Sequence, residues 1–122
     1  MEYIPQYQGT SKYRYDQNVY YFPEHFDCVI VDRLDNSESY EFDYFVVWKA
    51  SDGTLFYGED SGCSCPTPFE DIKSFRILTD DNWAEFHDEV IKWSTPYSDW
   101  SRSVVTEADI SEFFAKVSKA MR

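Results

Sequence analysis

The sequence predicts an α+β fold: a small antiparallel β-meander of three or four strands, packed by two carboxy-terminal helices and preceded by an aromatic amino-terminal arm. Three observations carry that expectation. Between Phe26 and Tyr57 apolar residues alternate or run in short β-branched stretches broken by turn residues. After Leu78 the apolar spacing changes to the threes and fours of amphipathic helices. The first 26 residues hold eight aromatic rings without a sustained period. A length of 122 residues fits one core, and 43% hydrophobic with 20% aromatic residues supplies enough apolar surface to offset the entropy of ordering the chain.

In chain order, residues 1–26 read as an extended Tyr-rich arm and 27–122 as a single α+β domain. The arm either lays its rings over the sheet as a cover or acts as a recognition segment, since tyrosine buries its ring while keeping its hydroxyl wet and is enriched at interfaces. Phe26 to Arg33 is short, β-branched and apolar at its middle, which predicts a strand, and Asp35-Asn36-Ser37 supplies turn chemistry. From Tyr40 to Trp48 the even positions form one apolar face, and Phe45 and Val47 bury the other toward its end. Asp52-Gly53 predicts a tight hairpin, after which Thr54 to Tyr57 resumes the β pattern. Ser61 to Pro68, with Gly62, Cys63, Cys65, Pro66 and Pro68, reads as an irregular loop whose thiols pack inward. Phe69 to Leu78 fits a helical turn followed by a short strand, or a strand alone.

The Thr79-Asp80-Asp81-Asn82 run offers an N-cap with acids in the first turn, and Trp83, Phe86, Val90 and Trp93 follow at helical spacing until Pro96 stops the helix. Thr106 and Asp109 form a capping box with Asp in place of the usual Glu, ahead of the stripe Ile110, Phe113, Phe114, Val117 and Met121. Each stripe is expected to face the core, because a helix needs an apolar face to dock on a sheet.

Twenty-three acids against eleven bases give a net charge of -12, and the pI is near 4.4. Such a balance opposes a sequence-independent grip on phosphate backbones or anionic membranes, so neither is expected as a partner. The imbalance is local: residues 27–60 hold nine acids and two bases, and residues 79–94 five acids and one base, which accounts for all but one unit of the net charge. Asp32, Asp35, Glu38, Glu41 and Asp43 are expected on the sheet edge, and Asp81, Glu85, Asp88 and Glu89 on the first helix. In the helix Asp81, Glu85 and Glu89 form an i, i+4 row of like charges. The surface they make is either a solubilising face or a docking site for a basic protein, including one that normally grips nucleic-acid phosphates.

Catalytic chemistry finds little support. Four glycines, at 9, 53, 58 and 62, make no phosphate-cradling loop. His87 and the adjacent Asp88 point in different directions from a helix and form no dyad. Cys63 and Cys65 invite a tetrahedral metal completed by His25, His87 or Cys28, but the Cys-Ser-Cys spacing lacks a zinc-knuckle signature, so no resident metal or other cofactor is expected. The stretch Asp60, Ser61, Gly62, Cys63 and Cys65 is nevertheless a second candidate site, as a ligand- or metal-binding loop. Three cysteines in a chain able to build a core fit a reducing compartment. Met1 to Pro5 has no basic-then-apolar leader and no window approaches the ~18 apolar residues of a membrane span, which points to a cytoplasmic protein.

The stretch from Tyr40 through Glu70, above all Val46-Val47-Trp48, Asp52-Gly53, Leu55 and Asp60-Ser61-Gly62-Cys63-Ser64-Cys65-Pro66 with Pro68-Phe69-Glu70, resembles a family of small uncharacterised proteins encoded by phages of actinobacteria. Phe22-Pro23-Glu24-His25-Phe26 is similar too. The resemblance covers the first 70 residues or so and implies a phage origin and expression in a bacterial cytoplasm, with no activity to carry over. Together these readings predict a non-enzymatic protein that binds and inhibits a basic host or antiviral-defence protein through its acidic surface.

Overall fold

A computed structural model describes residues 1–37, 41–63, 67–95 and 104–122. Five antiparallel strands, β1 (Glu2–Tyr3), β2 (Cys28–Asp35), β3 (Glu41–Ala50), β4 (Leu55–Cys63) and β5 (Phe75–Leu78), form one sheet in the order β1-β5-β4-β3-β2. Two helices follow, α1 (Trp83–Ser94) and α2 (Glu107–Ala120). The fold is α+β.

The alternation in β3 divides the core in two. Val46 and Trp48 point to one face, with Cys28, Phe56 and Phe75, while Phe45 and Val47 point to the other, with Leu34, Leu55, Tyr57 and Leu78. Both sets are buried, so Tyr44 to Trp48 in β3 and Leu55 to Tyr57 in β4 read as unbroken apolar runs. The helices cover the second face through Phe86, Val90, Phe113 and Val117. α1 and α2 meet where the His87 ring stacks on Phe114, with centroids 4.4 Å apart.

The first face is covered by the amino-terminal segment, which does not extend away as an arm. Glu2 and Tyr3 pair with Arg76 and Phe75. Val19, Tyr20 and Phe26 are buried in the core on that side. The Trp48 indole N–H donates to the Val19 carbonyl at 3.2 Å, which satisfies a polar group that burial would otherwise leave unpaired. Short 3-10 turns at Tyr15–Gln17 and Pro23–Phe26 shape this segment.

Local chemistry fixes the connections. At the β3–β4 hairpin Gly53 adopts φ +93°, a conformation glycine takes without a Cβ clash, and the Asp52 carboxylate accepts the Thr54 N–H at 2.9 Å. β4 runs longer than its composition suggests. Ser61, Gly62 and Cys63, expected within an irregular loop, pair with Asp43, Phe42 and Glu41, because the partner strand supplies the ladder that weak β-propensity cannot. Residues 64–66, which include Cys65 and Pro66, lie outside the described residues.

Phe75–Leu78 is a strand, and a single 3-10 turn at Asp80–Asn82 leads into α1. The Asn82 side chain latches that corner, accepting the Thr79 N–H at 2.8 Å and donating to the Ile77 carbonyl at 2.7 Å. Pro96 lies outside the described residues; α1 ends at Ser94. The box at Thr106 is present in both directions, since Thr106 Oγ1 accepts the Asp109 N–H at 3.1 Å and Asp109 Oδ2 accepts the Thr106 N–H at 2.9 Å. At the other end of α2 the Lys49 ammonium donates to the Ala120 carbonyl at 3.0 Å, a cation placed where the helix dipole favours one.

Candidate functional site

The acids expected to form one surface are distributed by the fold into three places. Asp32 and Asp35 lie on β2, the outer strand, as expected of a sheet edge. Asp32 sits 3.7 Å from Lys116 of α2, and Asp35 accepts the Ser37 N–H at 2.8 Å with Arg33 4.0 Å away. Glu41 and Asp43 belong to β3, an interior strand, so the expectation of an edge position fails for both. Their placement follows from the extra length of β4, which pairs Glu41 with Cys63 and Asp43 with Ser61. Glu38 lies outside the described residues.

On the first helix Glu85 and Glu89 are not the mutually repelling row that sequence suggests. Arg76 of β5 reaches across and pairs with both, 3.4 Å from Glu85 and in direct contact with Glu89, so one guanidinium relieves the repulsion. Asp81 lies in the 3-10 turn ahead of α1 and not on the helix as expected, and it and Asp88 are exposed and take part in no ion pair among the described residues.

Beyond the covered part of the helix-side face, β3 and β4 project a second acidic group, which joins Asp43 to Glu59, a residue absent from the expected surface. Asp43 is half-buried and its Oδ1 accepts the Trp93 indole N–H at 2.8 Å. Burial pushes its carboxyl above the usual range, Trp93 pulls it down, and the Asp35 and Glu41 charges add to the rise. Glu59 stands opposite Phe45 and shares this face, one alternation away from Asp43. Burial and the Asp43 charge raise its pKa, and Arg76 opposes them. Strict alternation from Leu55 and Tyr57 places Glu59 here, and that is the signal that could have found it.

A groove of about 550 Å³ opens beside Glu59, lined also by Trp93, Tyr57, Arg76, Glu89 and Lys92. Tyr57 is 2% exposed, and its hydroxyl is buried without a hydrogen-bond partner. Burial and the Glu85 charge raise the Tyr57 pKa while Arg76 lowers it, with burial the largest effect. A buried hydroxyl left unpaired costs about 1–3 kcal/mol, a strain on the fold behind this wall of the groove.

The same geometry gives the described residues of the loop candidate structural duties of their own. Asp60 Oδ2 accepts the Phe69 N–H at 2.8 Å and Asn18 donates to the Pro68 carbonyl at 2.8 Å. Together they hold Phe69 at φ +63°, an uncommon conformation for a bulky residue, with its ring 5.2 Å from Trp48 in the core. Asp60 is therefore an anchor. Ser61 and Gly62 are ladder residues, and Cys63 is exposed at the strand end rather than turned inward. Cys28 pairs with Ala50 at the opposite end of β3 from the Glu41–Cys63 pair, roughly 30 Å away at 3.3 Å per residue. His25 stacks on Phe22 and His87 on Phe114. Among the described residues no group of three His, Cys, Asp or Glu side chains could hold a metal ion. Burial, with Asp27 and Glu24 adding to it, pushes the Cys28 thiol up to about 12, which leaves it a small hydrophobe at neutral pH.

Comparison with known families gives a match over residues 17–120 to the family described as Domain of unknown function (DUF7574). The chain belongs to this family. Neither the curated proteins nor the solved structures contain a match. The DUF7574 match spans β2 to β5 and both helices, together with the part of the amino-terminal segment that carries Val19, Tyr20 and Phe26. No helix among the described residues is long and apolar enough to cross a membrane.

Proposed function

We propose that this protein is a non-enzymatic binding module that docks a basic protein through its acidic surface and thereby blocks that protein. The observation that supports the reading most directly is the rigidity of the acids: Glu41, Asp43 and Glu59 stand on the paired strands β3 and β4, between the middle of the hairpin and its open end, and make no ion pair among the described residues. Carboxylates held on a framework lose little further entropy on binding, whereas an acidic tail would give up affinity to ordering. The net charge of -12 speeds encounter with a cationic surface and discourages nucleic acid itself. The resemblance to small phage proteins makes a bacterial host or antiviral-defence protein that handles nucleic acid the fitting target class.

Affinity capture from a bacterial lysate with the tagged chain, at low and high salt, tests this. One dominant basic protein is expected at low salt and should be released as ionic strength rises. Replacing Glu41, Asp43 and Asp88 with their amides should reduce capture while the far-ultraviolet dichroism is retained. Capture that survives both high salt and the triple replacement overturns the reading.

A further inference from the structure

Resting on the reading of a basic partner, we propose that the groove between α1 and strands β4 and β5 is the anchoring pocket for an arginine side chain of that partner, with Glu59 pairing the guanidinium and Trp93 stacking on it. The charges of the lining sort this way. Arg76 is already engaged by Glu85 and Glu89, so its positive charge is compensated. Glu59 has no ion-pair partner among the described residues, and Asp43 stands one alternation beyond it on the same face. The unmet charge at the groove is therefore negative, with Lys92 on the exposed rim as the one opposing group.

The remaining wall suits a flat cation better than a compact one. Trp93 is partly exposed and lines the groove, while its indole N–H is fixed on Asp43, which holds the ring plane in place. A guanidinium stacks on an aromatic face and presents a donor fork to a carboxylate, which an ammonium cannot do. A volume of about 550 Å³ admits a long side chain together with the backbone that carries it.

The test titrates the full chain with N-acetyl-arginine amide and with its uncharged isostere N-acetyl-citrulline amide, following the indole N–H resonances by NMR. Arginine amide should shift the Trp93 resonance and citrulline amide should not. Glu59→Gln should weaken arginine amide about fivefold. Lys92→Gln should tighten it about twofold, and Asp88→Asn on the outer side of α1 should change it little. Equal shifts with citrulline, an unaffected Glu59→Gln, or weakening by Lys92→Gln overturns the pocket. Hexa-arginine retention at low salt separates the two readings: retention that Glu59→Gln leaves unchanged overturns the pocket alone, while no retention by the unaltered protein removes the acidic docking surface as well.

Discussion

Asp43 holds a carboxylate half out of water with one indole N–H as its side-chain donor, and that arrangement has a pH signature. Because its folded pKa is raised, the folded protein keeps the proton to higher pH than the unfolded chain, so the contribution to stability is complete below the unfolded value near 3.9 and is lost as pH rises through the folded value. Asparagine stays neutral and still offers Trp93 an acceptor. Asp43→Asn should therefore melt at a higher temperature than the parent protein at pH 7, with the gap closing below about pH 4; a lower melting temperature at pH 7 would contradict the assignment. Asp60 behaves oppositely to its expected role in a binding loop. Asp60→Ala removes the acceptor that holds Phe69 at positive φ, and denaturant titration should show a loss of about 1–3 kcal/mol. Asp60 could not be assigned that duty from sequence, because the partner lies across a turn whose geometry depends on Asn18, 50 residues from Pro68.

The same contrast between local and distant causes runs through the elements. Both helices were legible because their stripes and the Thr106–Asp109 box are written within four residues of one another. Thr106→Ala should cost about 1 kcal/mol, read as a fall of several degrees in the thermal midpoint. β1 and the tail of β4 were not legible. Two residues paired 74 and 72 positions away carry no periodicity, and Ser61-Gly62-Cys63 becomes strand because β3 is there to pair with it. The reach of Arg76 to Glu85 and Glu89 is hidden for the same reason, since the charge pattern of α1 alone shows only repulsion. Gly58 records how closely these elements pack: an added Cβ would stand 2.8 Å from the Phe75 ring. Gly58→Ala should cost about 1–3 kcal/mol, again by denaturant titration, because the ring is held between Trp48 and Phe56 and has little room to yield.

For the whole molecule, the six ion pairs among the described residues leave most of the negative charge uncompensated. Self-repulsion at -12 opposes the folded state, and salt screens it, so the thermal midpoint at pH 7 should climb as ionic strength rises from about 0.01 M to 1 M. A midpoint that falls would mean the pairs outweigh the repulsion. The net charge was legible from composition; its partition among a sheet edge, a helix flank and a hairpin end was not, because strand order decides which acids meet. The sheet order also gives β1 a consequence out of proportion to its size. Glu2 and Tyr3 lie ahead of the DUF7574 match, yet they close the outer side of β5, where the Ile77 N–H donates to the Met1 carbonyl at 3.1 Å. Take residues 1–16 away, and β5 presents a bare ladder on which another molecule's strand can grow. That extension is thus a stopper against chain-to-chain polymerisation, and the trimmed protein should sediment faster as its concentration is raised.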